Sequence, residues 1–325
     1  MMCIRSEIIG LGHCLPEKIL TNDDLSQMVE TSDEWIRTRT GICSRHIATT
    51  ETTSVIAGKA VENAIKSAGL TPSDVDVFIL ATITPDNTTP STAAKIARNL
   101  GFRHGVPAFD ISAACSGFVY ALTLADNMIR LGQAKTAVVA GAECLSKIVD
   151  WTDRNTCVLF GDGAGAAVLR AVEGEGTNKD TGVLSTRIYA DGEQYESLGT
   201  NGGVSSTQSS GFVVMNGKEV FKHAVVCLSE AAQTVMNDAG VVKEDVDWLI
   251  PHQANIRIID SVAERLEIDK DKVIVALDHH GNTSAASIPL ALSENYASGR
   301  IKKGQLLVLT AMGAGFTWGG VCVRL

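Results

Sequence analysis

Short, continuous apolar runs alternate along the chain with longer segments whose apolar residues recur at helical spacing. VFILAT (77–82), AVVAG (137–141) and VLTAM (308–312) are typical of strands buried on both faces, whereas FVYALTLADNMIRLG (118–132) has the period of an amphipathic helix. This alternation predicts an α/β fold with a mainly parallel sheet and helices on its faces. Ligands of such folds bind at the carboxyl ends of the strands, so candidate chemistry is sought there.

An internal repeat indicates how the chain is organised. AGLTPSDVDVFI (68–79) recurs as AGVVKEDVDWLI (239–250), without a gap and at an offset of 171 residues (68 to 239). In each copy a helical pattern ends at the glycine, a common helix C-terminal signal, and a buried strand follows. We therefore expect two related α/β halves, an N-terminal half of residues 1–174 and a C-terminal half of residues 175–325, joined in the polar stretch 173–182.

One segment interrupts the pattern of strands and helices. Residues 191–211, DGEQYESLGTNGGVSSTQSSG, are rich in Gly and Ser and have no period. A loop of this length in a compact domain is either a lid or binding loop, or an excursion on the surface. The sequence alone leaves both interpretations open.

Composition and charge exclude several classes of function. Apolar residues make up 45% of the chain and the net charge is −9, with no basic stripe, so we expect a globular protein that does not bind nucleic acid. The longest apolar runs, such as VFIL (77–80) and LLVL (306–309), are far shorter than the roughly 20 residues of a membrane-spanning helix, so we expect no membrane association.

Eight cysteines are scattered along the chain without a CxxC pair, so neither a disulfide framework nor a cysteine-based zinc site is expected. The N-terminal segment MMCIRSEIIGLG has too short an apolar run for a signal peptide. Because free thiols suit a reducing compartment, we expect a cytoplasmic location.

Cys115 is the first candidate catalytic residue. It lies between the short strand PAFDI (107–111) and the helix that starts near Phe118, among the small residues of ISAACSG (111–117). A helix N-terminus favours a thiolate and small neighbours admit a substrate carbonyl, so the position suits a nucleophile. The alternative is a packed structural cysteine.

His252 and Asn282 are the corresponding candidates in the second half. His252 follows the repeat strand WLI at its carboxyl end, and its alternative role is that of a hydrogen-bonded buried imidazole. Asn282 follows the predicted strand VIVAL (273–277), and its amide N–H groups suit an oxyanion, although the residue also suits a helix N-cap. By the repeat, this turn is the counterpart of the Cys115 turn.

The adjacent pair His279 and His280 raises the question of a metal. Neighbouring side chains on an extended segment point apart, and no carboxylate spacing accompanies the pair, so we expect no metal site.

Two glycine-rich segments complete the candidate chemistry. MGAGFTWGG (312–320) indicates a tight backbone with N–H donors near a site. FGDGAGAAVL (160–169) fits G-x-G-x-x-A, but the residues after it have the pattern of a strand rather than a helix, so we do not expect a dinucleotide site.

Taken together, these segments resemble the β-ketoacyl-acyl-carrier-protein synthase III family, which starts fatty-acid chains. The resemblance extends from about residue 7 to the C-terminus. It rests on TSDEWIRTRTGI (31–42), AACSGF (113–118), FGDGAGAAVL (160–169), PHQANIRI (251–258), HGNTSAAS (280–287) and GFTWGG (315–320). It implies the thiolase fold, an internally duplicated five-layer α/β/α/β/α sandwich, in agreement with the repeat.

The resemblance implies a two-step reaction without a cofactor. Cys115 takes an acyl group, expected to be acetyl, from acyl-coenzyme A. Malonyl-acyl-carrier protein then loses carbon dioxide, with His252 and Asn282 donating hydrogen bonds to its thioester carbonyl, and the carbanion attacks acyl-Cys115. The oxyanion would be held by the backbone N–H groups of Cys115 and Ala314; many relatives have Gly at the latter position, which matters little because only the N–H is needed.

Binding residues are also implied. Coenzyme A contacts fall on Trp35, Arg39, Arg154, Phe221, Ala254 and Asn255. Carrier-protein contacts fall on the basic residues Lys222, Arg257 and Arg265, whose alternative role is that of solvated surface charges. TSDE also fits a helix capping box between Thr31 and Glu34.

Thr89 is a departure from the family pattern. Some relatives place Phe there and reach from the partner subunit to close the acyl pocket, so we expect a homodimer and a pocket with room for longer or branched acyl groups. His279 lies where relatives often carry Arg, and the sequence assigns it no role.

Three alternatives remain at this point. The chain could be a specialised acyl-coenzyme A condensing enzyme of polyketide or quinolone type, a non-catalytic acyl-coenzyme A-binding paralogue, or a Cys-His-Asn hydrolase. The presence of all three catalytic residue types argues against loss of catalysis, and the absence of a papain-like CGSCW stretch argues against the hydrolase.

Overall fold

A computed structural model describes residues 3–325 of the chain. The strands are β1 (Cys3–Cys14), β2 (Lys18–Thr21), β3 (Ser44–Ile47), β4 (Val77–Ala81), β5 (Ala108–Ile111), β6 (Thr136–Glu143), β7 (Gly163–Gly174), β8 (Gly182–Ala190), β9 (Leu198–Thr200), β10 (Val213–Met215), β11 (Trp248–Pro251), β12 (Leu306–Gly313) and β13 (Thr317–Arg324). The helices are α1 (Asn22–Ser26), α2 (Asp33–Thr40), α3 (Thr53–Ser67), α4 (Thr92–Leu100), α5 (Gly117–Arg130), α6 (Gly217–Ala239), α7 (Ile256–Leu266), α8 (Leu277–His280) and α9 (Ser287–Ala297).

Two sheets form the framework of the molecule. The first has the strand order β1-β7-β6-β4-β5, and the second has the order β11-β12-β13-β8. The prediction of mainly parallel sheets was wrong, because both sheets are mixed. Strand β4 runs parallel to β5 and β6, and β11 runs parallel to β12, but β7 and β13 are antiparallel to their neighbours. The tight turn between β12 and β13 leaves no room for a crossover helix, so this pair is antiparallel.

The sheets and helices stack in five layers. Helices α3 and α4 cover the outer face of the first sheet, and α6 covers that of the second, with α7 packed beside α6. Helices α5 and α9 lie between the sheets and contact both. The chain thus has the α/β/α/β/α architecture, and the apolar strand residues, such as Phe78 and Val308, are buried.

In both copies of the repeat, the predicted helix and the buried strand after it are present, as α3 and β4 in the first copy and as α6 and β11 in the second. Helices α3 and α6 are each followed by a glycine in the left-handed region, Gly69 with φ +67° and Gly240 with φ +65°. Only a residue without a Cβ adopts this conformation at low cost, which explains the Ala-Gly pair in both copies. The division of the chain at residue 174 stays a prediction.

Two local predictions were wrong. VIVAL (273–277) does not form a strand: Val273 makes a single bridge to Leu249, and the chain then enters α8. The N-cap of α2 is Ser32, whose Oγ accepts a hydrogen bond from Trp35 N at 3.1 Å, and not Thr31 in a capping box. Both neighbouring hydroxyls suit a cap, and the chain direction before the helix decides between them.

Within residues 3–325, no helix combines the length and apolar character needed to cross a bilayer.

Candidate active site

A large cavity of about 1500 Å³ is lined by residues from both the N-terminal and the C-terminal parts of the chain. It opens at the carboxyl ends of β4, β5, β11 and β12, as expected for an α/β fold. Cys115, His252 and Asn282 all line it, although they are far apart in sequence. The structure therefore brings the three predicted catalytic side chains to one cavity.

The Gly- and Ser-rich segment 191–211 contributes one wall of this cavity. Tyr195 and Leu198 are among its lining residues, and β9 pairs with β10 to hold the segment in place. This placement favours the binding-loop interpretation over an excursion on the surface.

Cys115 sits in a short 3₁₀ turn, Ala114–Ser116, directly before α5. Thr317 on β13 ties this turn to the second sheet, since its Oγ1 donates to Ala113 O at 3.0 Å. Gly313 at the end of β12 approaches the turn so closely that a Cβ there would lie 2.5 Å from Cys115 N. A side chain at position 313 would therefore displace the nucleophile.

Burial controls the protonation of Cys115. Burial raises the pKa of its thiol to about 12, and this outweighs a side-chain hydrogen bond with Ser284, which lowers it. The nearby carboxyl group of Glu143 raises the pKa further. Burial thus opposes the effect of the helix N-terminus on the pKa, and the expectation that the N-terminus favours a thiolate stays a prediction.

Glu143, at the end of β6, is buried and connected to the nucleophile through Ser284. The Ser284 hydroxyl donates to Glu143 Oε1 at 3.2 Å, and the Thr84 hydroxyl donates to Oε2 at 2.7 Å. Burial raises the pKa of Glu143 to about 7 despite these hydrogen bonds. The Ser284 hydroxyl thus lies between the titratable carboxyl group of Glu143 and the thiol of Cys115.

The imidazole of His252 is buried and neutral. Burial lowers its pKa to about 4. Its Nδ1 lies 2.7 Å from Ser287 Oγ, and Ser287 Oγ lies 3.4 Å from the backbone N–H of Gln253. Because that N–H is a donor, the hydroxyl hydrogen is free to point at Nδ1, which places the ring proton on Nε2.

Asn282 is fixed by its own backbone and side chain. Its N–H donates to Leu159 O at 2.8 Å, and its carbonyl accepts from Gly161 N at 3.0 Å. Its side-chain Oδ1 accepts from Ser284 N at 2.9 Å, which orients the amide and leaves Nδ2 as the donor toward the cavity. The glycine-rich segment that sequence analysis rejected as a dinucleotide site thus supports Asn282.

The two backbone groups predicted to hold an oxyanion are neighbours. Ala314 follows Gly313, the residue that lies against Cys115 N, and it also lines the cavity. Preorganised N–H groups of this kind stabilise developing negative charge.

Five of the six predicted coenzyme A contacts line the cavity: Trp35, Arg39, Phe221, Ala254 and Asn255. Arg154 is absent from the lining, but its guanidinium carbon lies 5.1 Å from the centre of the Trp35 ring, and that of Arg39 lies 5.5 Å from it. The exposed mouth thus carries an indole with two cations beside it.

The three predicted carrier-protein contacts, Lys222, Arg257 and Arg265, are exposed. Arg257 lines the cavity mouth and its guanidinium carbon lies 5.5 Å from the centre of the Phe221 ring. Arg265 lies at the other end of α7, about 12 Å along the helix. Of the three, Arg257 is the one the structure places at the cavity.

Thr89 does not line the cavity of this single chain. It is exposed, whereas its neighbours Asn87 and Thr88 are lining residues.

Sequence reasoning missed Ser287, Ser284 and Glu143. Their partners lie from 35 to 141 residues away in sequence, and a serine or glutamate beside a strand or helix end has no distinctive local pattern. The repeat provided one usable signal, since it aligned SAAS (284–287) with the Cys115 turn.

Known proteins match the chain along its whole length. The family model for 3-oxoacyl-[acyl-carrier-protein] synthase III matches residues 109–192, and that for the C-terminal part of the same enzyme matches residues 236–325. The β-ketoacyl-[acyl-carrier-protein] synthase III of Rhodospirillum centenum is 55% identical over 324 residues, which is 99% of this chain and 100% of the relative.

Solved structures agree with these sequence matches. The crystal structure of 3-oxoacyl-[acyl-carrier-protein] synthase III from Aquifex aeolicus VF5 superimposes with a TM-score of 0.93 at 50% identity, covering 98% of this chain and 100% of that one. The priming β-ketosynthase from the R1128 polyketide biosynthetic pathway has a TM-score of 0.92 at 34% identity, covering 98% of this chain and 96% of that one.

Proposed function

The chain belongs to the β-ketoacyl-[acyl-carrier-protein] synthase III family and has its thiolase fold, and from this premise we propose that Cys115, His252 and Asn282 carry out its condensation. The enzyme is an acyltransferase that initiates fatty-acid synthesis. Its substrates would be an acyl-coenzyme A, with acetyl as the expected primer, and malonyl-acyl-carrier protein. The observation that carries the proposal is the convergence of the three side chains on one cavity.

The first step is acyl transfer to Cys115. The sulfur attacks the acyl carbonyl, the bond from that carbon to the coenzyme A sulfur breaks, and the thiol proton passes to the departing sulfur. The tetrahedral oxyanion would be stabilised by the N–H groups of Cys115 and Ala314. Because burial raises the pKa of Cys115, deprotonation has to be coupled to binding or attack.

The second step makes a carbanion without a strong base. The carbon–carbon bond to the malonyl carboxylate breaks, carbon dioxide leaves, and negative charge develops on the thioester oxygen. His252 Nε2–H and Asn282 Nδ2 would donate to that oxygen. A neutral imidazole suits this role, and the lowered pKa of His252 keeps it neutral at physiological pH.

The second step ends by joining the two acyl groups. The enolate carbon attacks the acyl-Cys115 carbonyl, the carbon–sulfur bond breaks, and the released sulfur takes up one proton. The products are 3-oxoacyl-acyl-carrier protein, carbon dioxide and coenzyme A. No bound cofactor enters these steps.

Side chains at the cavity mouth would bind the two thioester substrates. Trp35 with Arg39 and Arg154 would contact the adenine and phosphates of coenzyme A, and Phe221, Ala254 and Asn255 would contact the rest of that molecule. Arg257, with Lys222 and Arg265 farther out, would meet an acidic carrier protein. The same proposal includes a homodimer, with Thr89 near the subunit interface, and a cytoplasmic location.

The test is a condensation assay with defined substrates. Purified protein, acetyl-coenzyme A and malonyl-acyl-carrier protein should give carbon dioxide and 3-oxobutanoyl-carrier protein in equal amounts, and C115A should give no condensation product. Condensation with malonyl-coenzyme A but not with the malonyl-carrier protein would contradict the fatty-acid proposal and favour the polyketide or quinolone alternative.

A further inference from the structure

Two histidines and a glutamate form a cluster outside the catalytic cavity. His279 and His280 lie on α8, and Glu294 lies on α9. From the sequence, the two histidines were expected on an extended segment, where their side chains would point apart. They lie on one turn of helix instead, and their ring centres are 3.9 Å apart. The expectation of an extended segment was therefore wrong.

The donor atoms converge on Glu294. His280 Nε2 lies 2.7 Å from Glu294 Oε2, and His279 Nε2 lies 3.5 Å from the same oxygen. The three potential ligand atoms all lie within 4.8 Å of one another. Ligands around tetrahedral zinc are about 3.3–3.6 Å apart, given zinc–ligand distances of about 2.0–2.2 Å. The three ligand atoms would therefore need to move by only a few tenths of an ångström to about one ångström to hold an ion.

The surroundings orient the ligands. Asp278 Oδ1 lies 2.8 Å from His279 Nδ1, an arrangement in which the carboxylate accepts the Nδ1 proton and leaves Nε2 as a lone-pair donor. The His280 side chain is 4% exposed, and its position is set by its contact with Glu294 and by the packing of α8. Thus one imidazole is anchored by burial and the other by a carboxylate.

The exposure of the cluster provides access to solvent. The side chain of His279 is 50% exposed and that of Glu294 is 24% exposed. An ion held by the three side chains would have a fourth position open to water on the His279 side. Two imidazoles and one carboxylate are a ligand set that suits zinc.

We propose that His279, His280 and Glu294 form a binding site for a divalent transition-metal ion of the zinc type, outside the catalytic cavity. The competing account is that a protonated His279 serves only as a cation that pairs with Asp278 and Glu294. Arg at position 279 would keep that cation but cannot coordinate a metal, so the two accounts predict different behaviour of one substitution.

The test is a Zn²⁺ titration of the full-length protein against a chromogenic chelator, with H279Q, H279R and the control H104Q. His104 is exposed and lies outside the cluster, so H104Q keeps one site. The wild type and H104Q should bind one equivalent of Zn²⁺, and H279Q and H279R should bind at least tenfold more weakly. All four proteins have the same cysteines, so a difference in their Zn²⁺ affinities reports on the histidine site and not on the cysteines.

Two further readouts decide the ligand set. Zn²⁺ should raise the melting temperature of the wild type and not that of H279R, although the two should melt alike in chelator. X-ray absorption of the 1:1 complex should show nitrogen and oxygen ligands at about 2.0–2.2 Å and no sulfur. Equal Zn²⁺ affinity in H279R, or sulfur in the first coordination sphere, would overturn the proposal.

Discussion

The hydroxyl of Ser287 lies 2.7 Å from Nδ1 of His252, and this contact sets the tautomer of the imidazole. Ser287 begins α9 and His252 follows β11, so the contact joins two elements of the second half. With Nδ1 occupied as an acceptor, the ring proton resides on Nε2, where a hydrogen bond to the thioester oxygen requires it. Ser287 is accordingly a positioning residue that acts through His252.

Loss of the Ser287 hydroxyl should slow decarboxylation more than acylation. S287A should lower kcat for condensation by about tenfold, the worth of one orienting hydrogen bond, and leave KM for acyl-coenzyme A unchanged. The rate of Cys115 acylation, followed by mass spectrometry, should stay within about twofold. S287T, which keeps a hydroxyl, should recover most of the rate.

The matched control for this substitution lies on the same helix. Ser293 Oγ is 2.9 Å from His13 Nδ1, a second Ser–His contact from α9, but away from the cavity. S293A should leave kcat unchanged. An equal loss of kcat in S293A and S287A would indicate a general effect on α9 rather than control of the His252 tautomer.

The thiol of Cys115 should respond in opposite directions to its two polar neighbours. The Ser284 hydrogen bond lowers the pKa of the thiol, so S284A should raise it and slow alkylation at a given pH. The Glu143 carboxylate raises that pKa, so E143Q should lower it and speed alkylation.

The pH dependence of this coupling follows from Glu143. Its carboxyl group has a pKa of about 7, so its negative charge is present above pH 7 and disappears as the pH falls. The effect of E143Q on alkylation should therefore be larger at pH 8 to 9 than at pH 6. The measurement is the iodoacetamide rate of the Cys115 peptide against pH, and shifts of the same sign in S284A and E143Q would contradict this account.

Trp35 should control affinity for coenzyme A thioesters. Its ring lies beside the guanidinium groups of Arg39 and Arg154, at 5.5 and 5.1 Å. W35A should raise KM for acyl-coenzyme A roughly tenfold with little change in kcat, because stacking and cation–π contacts of about 1–2 kcal/mol are lost. W248A removes another Trp–Arg pair, with Arg300 at 4.8 Å, outside the cavity lining and should leave KM unchanged.

Position 89 should affect the choice of primer through the partner subunit. Thr89 is exposed in the single chain, whereas its neighbours Asn87 and Thr88 line the cavity. The wild type should accept acyl chains longer than acetyl, and T89F should lower kcat/KM for hexanoyl-coenzyme A at least tenfold relative to acetyl-coenzyme A. Strict use of acetyl-coenzyme A by the wild type would remove this proposal.

The sequence predicted those features that depend on local pattern. Apolar runs without polar interruption identified β4, β6 and β12, and the repeated Ala-Gly pair identified the ends of α3 and α6. Cys115 was found because small residues between a strand and a helix are a local signal. The end of a predicted strand also indicated His252, whereas the strand predicted before Asn282 does not form.

Features that depend on distant contacts were not predictable in this way. VIVAL (273–277) has the composition of a strand, but only Val273 pairs with a neighbouring strand, through a single bridge to Leu249. The pKa of Cys115 depends on burial by elements from both halves, which no local pattern reports. Ser287 and Glu143 gain their roles only when the chain brings them to His252 and Ser284.

The central claim, that Cys115 carries the acyl group, is tested most directly by intact-mass and peptide mass spectrometry after the protein is mixed with acetyl-coenzyme A alone. The account predicts one acetyl group per chain, located on the Cys115 peptide, absent in C115A, and discharged when malonyl-acyl-carrier protein is added. An acetyl group on any other residue, or full condensation activity with no adduct at Cys115, would contradict it.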